Sequence, residues 1–171
     1  MKVLCSSLFC LLIIANEARV FEPCELFYLL RSLGLDNHQN IGVKHFVCIA
    51  LYPSNLNTLY FDVVDGYPRY GIFNLKGREW CSSGKEESLN KCEINCDKFL
   101  DDDIKDDVAC VKKIVSSKAG IKSWPTHNEH CNINVLSYIF TRCSFFFTND
   151  GWYHKIMRLR LAHTMHIQVT K

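Results

Sequence analysis

The sequence predicts a secreted α+β domain framed by four disulfides, with an α-helical part and a small antiparallel β part. Three observations carry that expectation. Eight cysteines remain, an even set, once an N-terminal leader holding Cys5 and Cys10 is set aside. Apolar residues return at helical spacing on either side of a short β-textured stretch. That stretch is broken by Asp65-Gly66, a dipeptide suited to a two-residue hairpin turn.

At 171 residues, 48% of them hydrophobic, the chain can bury one core but is short for two comfortable ones. The formal charge of +2 implies no polyanionic partner, and nucleic acid is not expected. Residues 1–18 read as a signal peptide. Lys2 precedes a nearly unbroken apolar run from Val3 to Ala15, and Ala18 offers a small residue for cleavage, although Asn16 is a poor match at the minus-three position. No later segment reaches the length of a membrane span, so an extracellular product without stable membrane insertion is expected.

Cys24, Cys48, Cys81, Cys92, Cys96, Cys110, Cys131 and Cys143 then form a disulfide framework whose connectivity counting leaves open. Zinc is disfavoured, because only Cys92 and Cys96 are closely spaced and no paired histidine follows.

Leu26, Leu29, Leu30 and Leu33 fall on one face of a helix that should end at Gly34. A second run, Val43 to Leu51, should end or kink at Pro53, whose ring clashes with the preceding turn. Tyr60, Phe61, Val63 and Val64, then Tyr70, Ile72 and Phe73, flank Asp65-Gly66 and read as a hairpin. Ile104, Val108, Val111 and Val115 line a further helix whose start is rich in aspartate, favourable at the positive end of the helix dipole. Trp124 to Cys131 fits one more short helix. Residues 146–171 are cysteine-free and basic. They are expected to be an unstructured appendage, with a basic amphipathic helix over Trp152 to His166 as the alternative.

Several motifs carry a resemblance. Arg19-Val20-Phe21 with Cys24-Glu25-Leu26, Tyr70-Gly71-Ile72-Phe73, Arg78-Glu79-Trp80-Cys81 and the later cysteine spacings resemble the c-type lysozyme/α-lactalbumin family, glycoside hydrolase family 22, from Arg19 to Cys143. The domain is accordingly placed at 19–145. The resemblance implies bridges Cys24–Cys143, Cys48–Cys131, Cys81–Cys96 and Cys92–Cys110, and a lysozyme-like fold with an α-lobe and a small β-lobe flanking a saccharide cleft.

Lysozymes use one carboxylic acid to protonate the leaving oxygen and a second carboxylate to trap or stabilise the oxocarbenium ion. That mechanism enters through the resemblance. The acid of the family falls at Pro53, and the second carboxylate, directly before Tyr-Gly, falls at Arg69. Loss of acid catalysis alone costs about 10²–10⁴-fold. A guanidinium ~5 Å from the developing cation repels it by about 3 kcal/mol at an effective dielectric near 20, where a carboxylate would attract by as much. Asp62, Asp65 and Glu79 are nearby in sequence, but none holds a family position. No catalytic residue and no muramidase activity are therefore expected.

The stretch from Cys96 to Asp107 resembles the calcium elbow of α-lactalbumins and calcium-binding lysozymes. Carried over by position, Asp101, Asp106 and Asp107 supply side-chain oxygens, and Lys98 and Asp103 supply backbone carbonyls, to Ca2+. Five carboxylates in the seven positions 101–107 exceed what a helix start needs. Each close pair costs on the order of 1–3 kcal/mol without a cation. The loop lacks the glycine and terminal glutamate of an EF-hand. A solvated acidic helix start is the plainer alternative.

Asn74, Trp80 and Trp124 fall at cleft positions that implicate them in glycan binding. The alternative makes Trp124 a core residue and Trp80 a lid over the Cys81 bridge. Glu79 and Lys76 replace other cleft residues of the family. The expectation is a monomeric protein that binds calcium and acts through a glycan, a glycosyltransferase or a cell-surface partner. A galactosyltransferase regulator of the α-lactalbumin type is one alternative, although Leu51-Tyr52 stands where that role uses an aromatic–histidine pair. A lysozyme with residual activity is the other.

Overall fold

The computed structural model describes residues 18–149. The expected leader and tail lie outside the described residues, apart from Ala18 and the end of the last helix. The chain divides into two units, each holding two disulfides.

Among the described residues the helical unit takes Glu22–Tyr52 and 114–149. Helix α1 spans Pro23–Ser32. Pro23 suits the first turn because its missing N–H is not needed there. Glu22 and Glu25 form a reciprocal capping box. The helix closes as the sequence suggests: Gly34 adopts φ 74°, and the Leu35 amide reaches back to the Leu30 carbonyl at 3.0 Å.

Helix α2 spans Val43–Ser54 and runs one residue past Pro53 instead of stopping at it. A proline in the last turn forfeits one helical hydrogen bond without a following turn to disrupt. Asn55 and Leu56 then end the helix with φ of 49° and 63°.

Past Val115 come a short 3-10 turn over Gly120–Ser123, a helix over Pro125–His130 (α5) and the long helix Ile133–Asn149 (α6). The last of these packs on α1, and its face Leu136, Ile139, Cys143 is buried. Cys24–Cys143 ties α1 to α6, and Cys48–Cys131 ties α2 to the residue just after α5.

Among the described residues the strand-bearing unit takes 18–21 and Pro53–Lys113. Its antiparallel sheet runs β1 (Phe61–Val64), β2 (Tyr67–Tyr70), β3 (Leu75–Lys76). Asp65 and Gly66 have φ of 54° and 79°, as a two-residue hairpin turn demands. That turn sets the register: Val64 faces Tyr67, Val63 faces Pro68 and Asp62 faces Arg69. On the other side of β2, Arg69 faces Lys76.

A one-turn helix, α3 (Gly77–Trp80), follows β3. A 3-10 turn over Cys96–Phe99 leads through an aspartate-rich loop into α4 (Lys105–Val115). The predicted stripe Ile104, Val108, Val111 and Val115 is buried. Cys81–Cys96 and Cys92–Cys110 staple this region. All four bridges are those the resemblance implies.

Candidate functional site

The aspartate-rich loop is held from both sides. Cys96 before it and Cys110 after it are each in a disulfide, and Asn95 caps the 3-10 turn by accepting from the Asp97 amide at 3.0 Å. Within the loop, Asp101 Oδ1 accepts from the Asp103 amide at 2.9 Å. The Asp103 carboxylate turns outward to the Lys105 ammonium, 3.2 Å away and well exposed, which sets it apart from the other acids.

Asp107 is the unusual member. Its residue is 1% exposed, and neither carboxylate oxygen meets a hydrogen-bond donor. Burial, and then the neighbouring Asp106 carboxylate, push its carboxyl well above the ordinary range. Asp106 is also raised, chiefly by burial, with Asp101 and Asp103 adding repulsion.

An orphaned buried carboxylate costs several kcal/mol unless it is protonated or meets a cation. The donors are hard oxygens, so they fit calcium in kind. Asp101, Asp106 and Asp107, with the Lys98 and Asp103 carbonyls, are the residues that would hold it, and the ion would supply the missing positive charge. Among the described residues no three His, Cys, Asp or Glu side chains are already gathered into a cage. Asp102 plays a separate part: its Oδ1 accepts from Thr58 Oγ1 at 2.7 Å and from the Arg19 amide at 3.3 Å.

Gly71 ties the sheet to this loop. Its φ is 72°, and a Cβ there would lie 2.4 Å from the Phe99 carbonyl oxygen and 2.8 Å from Asp107 Oδ1.

Of the two positions to which the resemblance assigns the family's carboxylates, Pro53 lies in the last turn of α2 and Arg69 in the middle strand of the sheet. The three carboxylates nearest in sequence are otherwise placed. Asp62 accepts from the Tyr60 hydroxyl at 3.1 Å and from the Val63 amide at 2.7 Å. Asp65 is exposed on the hairpin turn, and Glu79 pairs with Lys91 at 2.9 Å.

A groove of about 750 Å³ opens on the strand-bearing unit, with Tyr67, Arg69, Lys76, Arg78 and Glu79 in its lining. Trp80 and Trp124 do not line it, and each is only 5% exposed. Lys91 covers the Trp80 ring, its Nζ 4.9 Å from the centroid. Asn74 closes the turn after Phe73 at φ 52°, and its Oδ1 is buried without a partner.

Comparison with known proteins decides the kinship. The family model described as C-type lysozyme/alpha-lactalbumin matches residues 19–143. The chain belongs to this family.

Among its relatives is the milk isozyme of lysozyme C from Canis lupus familiaris, 39% identical over 128 residues, covering 74% of this chain and 99% of the relative. Alpha-lactalbumin from Tachyglossus aculeatus aculeatus is 38% identical over 117 residues, covering 66% and 93%. The solved apo-type canine milk lysozyme superposes with a TM-score of 0.70 at 39% identity, over 73% of this chain and 98% of that one. The fold is lysozyme-like, with helices, a three-stranded antiparallel sheet and four disulfides. Among the described residues no helix is long and apolar enough to cross a membrane.

Two features of this family member escape a motif reading. One is the cross-strand rung Asp62–Arg69–Lys76, which counting outward from the Asp65-Gly66 turn would have exposed. The other is a histidine pair in the helical unit, His45 Nδ1 and His127 Nε2, 2.9 Å apart. Its members are 82 residues apart, and no local pattern joins them.

Proposed function

We propose that this chain is a secreted, calcium-binding, non-catalytic member of the C-type lysozyme/alpha-lactalbumin family that acts by binding a saccharide. The observation that carries the reading is Arg69. A permanently charged guanidinium occupies the strand position where lysozymes place their second carboxylate, beside Lys76 across the sheet. Two cations there oppose the oxocarbenium character of glycoside cleavage, and Pro53 offers no proton to the leaving oxygen. What remains is a groove of saccharide-binding size without the acid–base pair.

The calcium part rests on Asp107, a buried carboxylate without a donor beside two like charges. An ion bound only by the native state, at a thousand times its Kd, stabilises it by about 4 kcal/mol.

The test pairs two assays on the purified full chain. Peptidoglycan release should equal a buffer blank from pH 4 to 9, and a glycan array should show saccharide binding in calcium that is weakened by chelator. A bell-shaped lysis profile would overturn the non-catalytic reading, because such a profile reports an acid–base pair. A blank array would overturn the saccharide reading and leave a protein partner.

A further inference from the structure

We propose that the Arg69–Lys76 rung of the groove, with Arg78, binds the carboxylate or sulfate group of an acidic saccharide. The inference rests on the saccharide-binding reading above and names the class of sugar.

Arg69 and Lys76 are register partners on adjacent strands. Directly opposed side chains share a face, and like charges in that arrangement repel. The natural relief for Arg69 would be Asp62, its partner on the opposite strand. Asp62, however, has its two oxygens engaged by Tyr60 and by the Val63 amide. Among the described residues neither Arg69 nor Lys76 is in an ion pair.

Both residues are half-buried, and the Arg69 Nε is fully buried with no hydrogen-bond acceptor. Arg69 lines the groove as a cation without an ion-pair partner among the described residues, and an anionic oxygen is the group that answers such a charge best.

The rest of the lining suits the same ligand. Arg78 is held with its guanidinium carbon 4.8 Å from the centroid of the Tyr67 ring, which fixes a third cation in the lining. Of the lining acids, Glu79 is neutralised by Lys91, and Asp65 and Glu87 are exposed. The near-neutral net charge of the chain is no obstacle, because the cations are gathered locally.

The ligand class follows from three cations and an aromatic ring in an open groove: a sugar bearing a carboxylate or sulfate, its ring on Tyr67 and its anionic group on Arg69 and Lys76. A neutral saccharide would offer hydroxyl and amide oxygens but no charge to offset Arg69 and Lys76.

Calorimetry on the full chain in calcium would test this with four probes: a sulfated heparin tetrasaccharide, a carboxylated hyaluronan tetrasaccharide, neutral chitotetraose and a hexaglutamate peptide. The two acidic sugars should bind, one better than the other according to which anion the rung prefers, and at least tenfold more tightly than chitotetraose. Arg69→Met and Lys76→Met should each weaken that binding about tenfold or more, the loss expected of one charged hydrogen-bonding partner. The exposed Lys118→Met should leave it unchanged.

If Arg69→Met fails to fold, Lys76→Met and Arg78→Met carry the comparison. Equal binding of chitotetraose, insensitive to Arg69 and Lys76, would overturn the acidic-sugar inference and leave the saccharide reading standing. Binding of no sugar at all would defeat both. Hexaglutamate bound as tightly as the sugars, or equal losses in Lys118→Met, would show a general anion surface and overturn the inference.

Discussion

Gly71 lies against Asp107 so closely that a methyl group on the glycine would sit 2.8 Å from the aspartate's Oδ1. The same methyl would meet the Phe99 carbonyl oxygen, and φ at Gly71 is 72°, where an L side chain is strained. Gly71→Ala should therefore cost about 2–4 kcal/mol, from backbone strain together with the forced shift of packed atoms. It should also weaken calcium binding, because the shift falls on Asp107 and on the residue after Lys98. Calcium titration of the variant by calorimetry checks this. A variant as stable and as tightly bound as the parent would mean the loop retreats without loss.

Chelator should lower the melting midpoint on the order of ten degrees or more, given a binding term of about 4 kcal/mol. Asp106→Ala should melt low and respond little to chelator. Asp102→Ala should behave differently, but not silently, because it takes the acceptor from buried Thr58. A loss of about 1–2 kcal/mol with and without calcium is expected there, with the calcium-dependent difference preserved. Scanning calorimetry of the three proteins in calcium and in chelator separates the roles. Equal chelator responses at positions 102 and 106 would reduce the loop to an acidic helix start.

Pro53→Glu with Arg69→Asp should recover a trace of lysis, and either change alone should recover none, since each carboxylate has its own task. Pro53→Glu should in addition raise the melting midpoint slightly by restoring a helical N–H in the last turn of α2. A single substitution that restores lysis would contradict the two-carboxylate account.

The histidine pair makes stability depend on pH. Burial lowers the His45 pKa, helped by His127 and Lys44, and burial lowers that of His127. The unfolded chain then takes up protons first as pH falls. The stabilisation is fully present above the usual histidine value near 6.5 and is lost as pH drops from there through the depressed folded values. Melting curves from pH 7.5 to 5 in saturating calcium should slope downward below about 6.5. His127→Gln should flatten that slope, and an unchanged slope would place the titration elsewhere.

Much of this fold was legible because its signals are local. The Asp65-Gly66 turn sets the hairpin register, Gly34 ends α1, and the stripe from Ile104 to Val115 marks α4. The spacing of Leu136, Ile139 and Cys143 marks α6 as well, although no helix was expected there. Pro53 misled by one residue because its missing N–H costs a single bond in the last turn, just before Asn55 and Leu56 end the helix. The resemblance pointed to Arg69, whereas its lack of an ion pair among the described residues depends on where Asp62 sends its oxygens, a tertiary fact. Likewise the crowding of carboxylates over 101–107 was legible, while the burial of Asp107 alone among them comes from the packing of Gly71 and Phe99.

The arrangement of the bridges bears on how the protein is made. Cys81–Cys96 and Cys92–Cys110 interleave over spans of 15 and 18 residues, whereas Cys48–Cys131 nests inside Cys24–Cys143 with spans of 83 and 119. On the proposed secretory route the chain emerges from its N-terminus. At ~5–20 residues per second, Cys24 waits roughly 6–24 s for its partner, and the interleaved cysteines close within a few seconds of one another. Cys24 and Cys48 meet the newly emerged Cys81 and Cys92 before their own partners exist. Any early mispairing of Cys24 or Cys48 would have to be undone by thiol–disulfide exchange before the helical unit closes, and the acidic loop between Cys96 and Cys110 can be cross-linked before α6 has been synthesised.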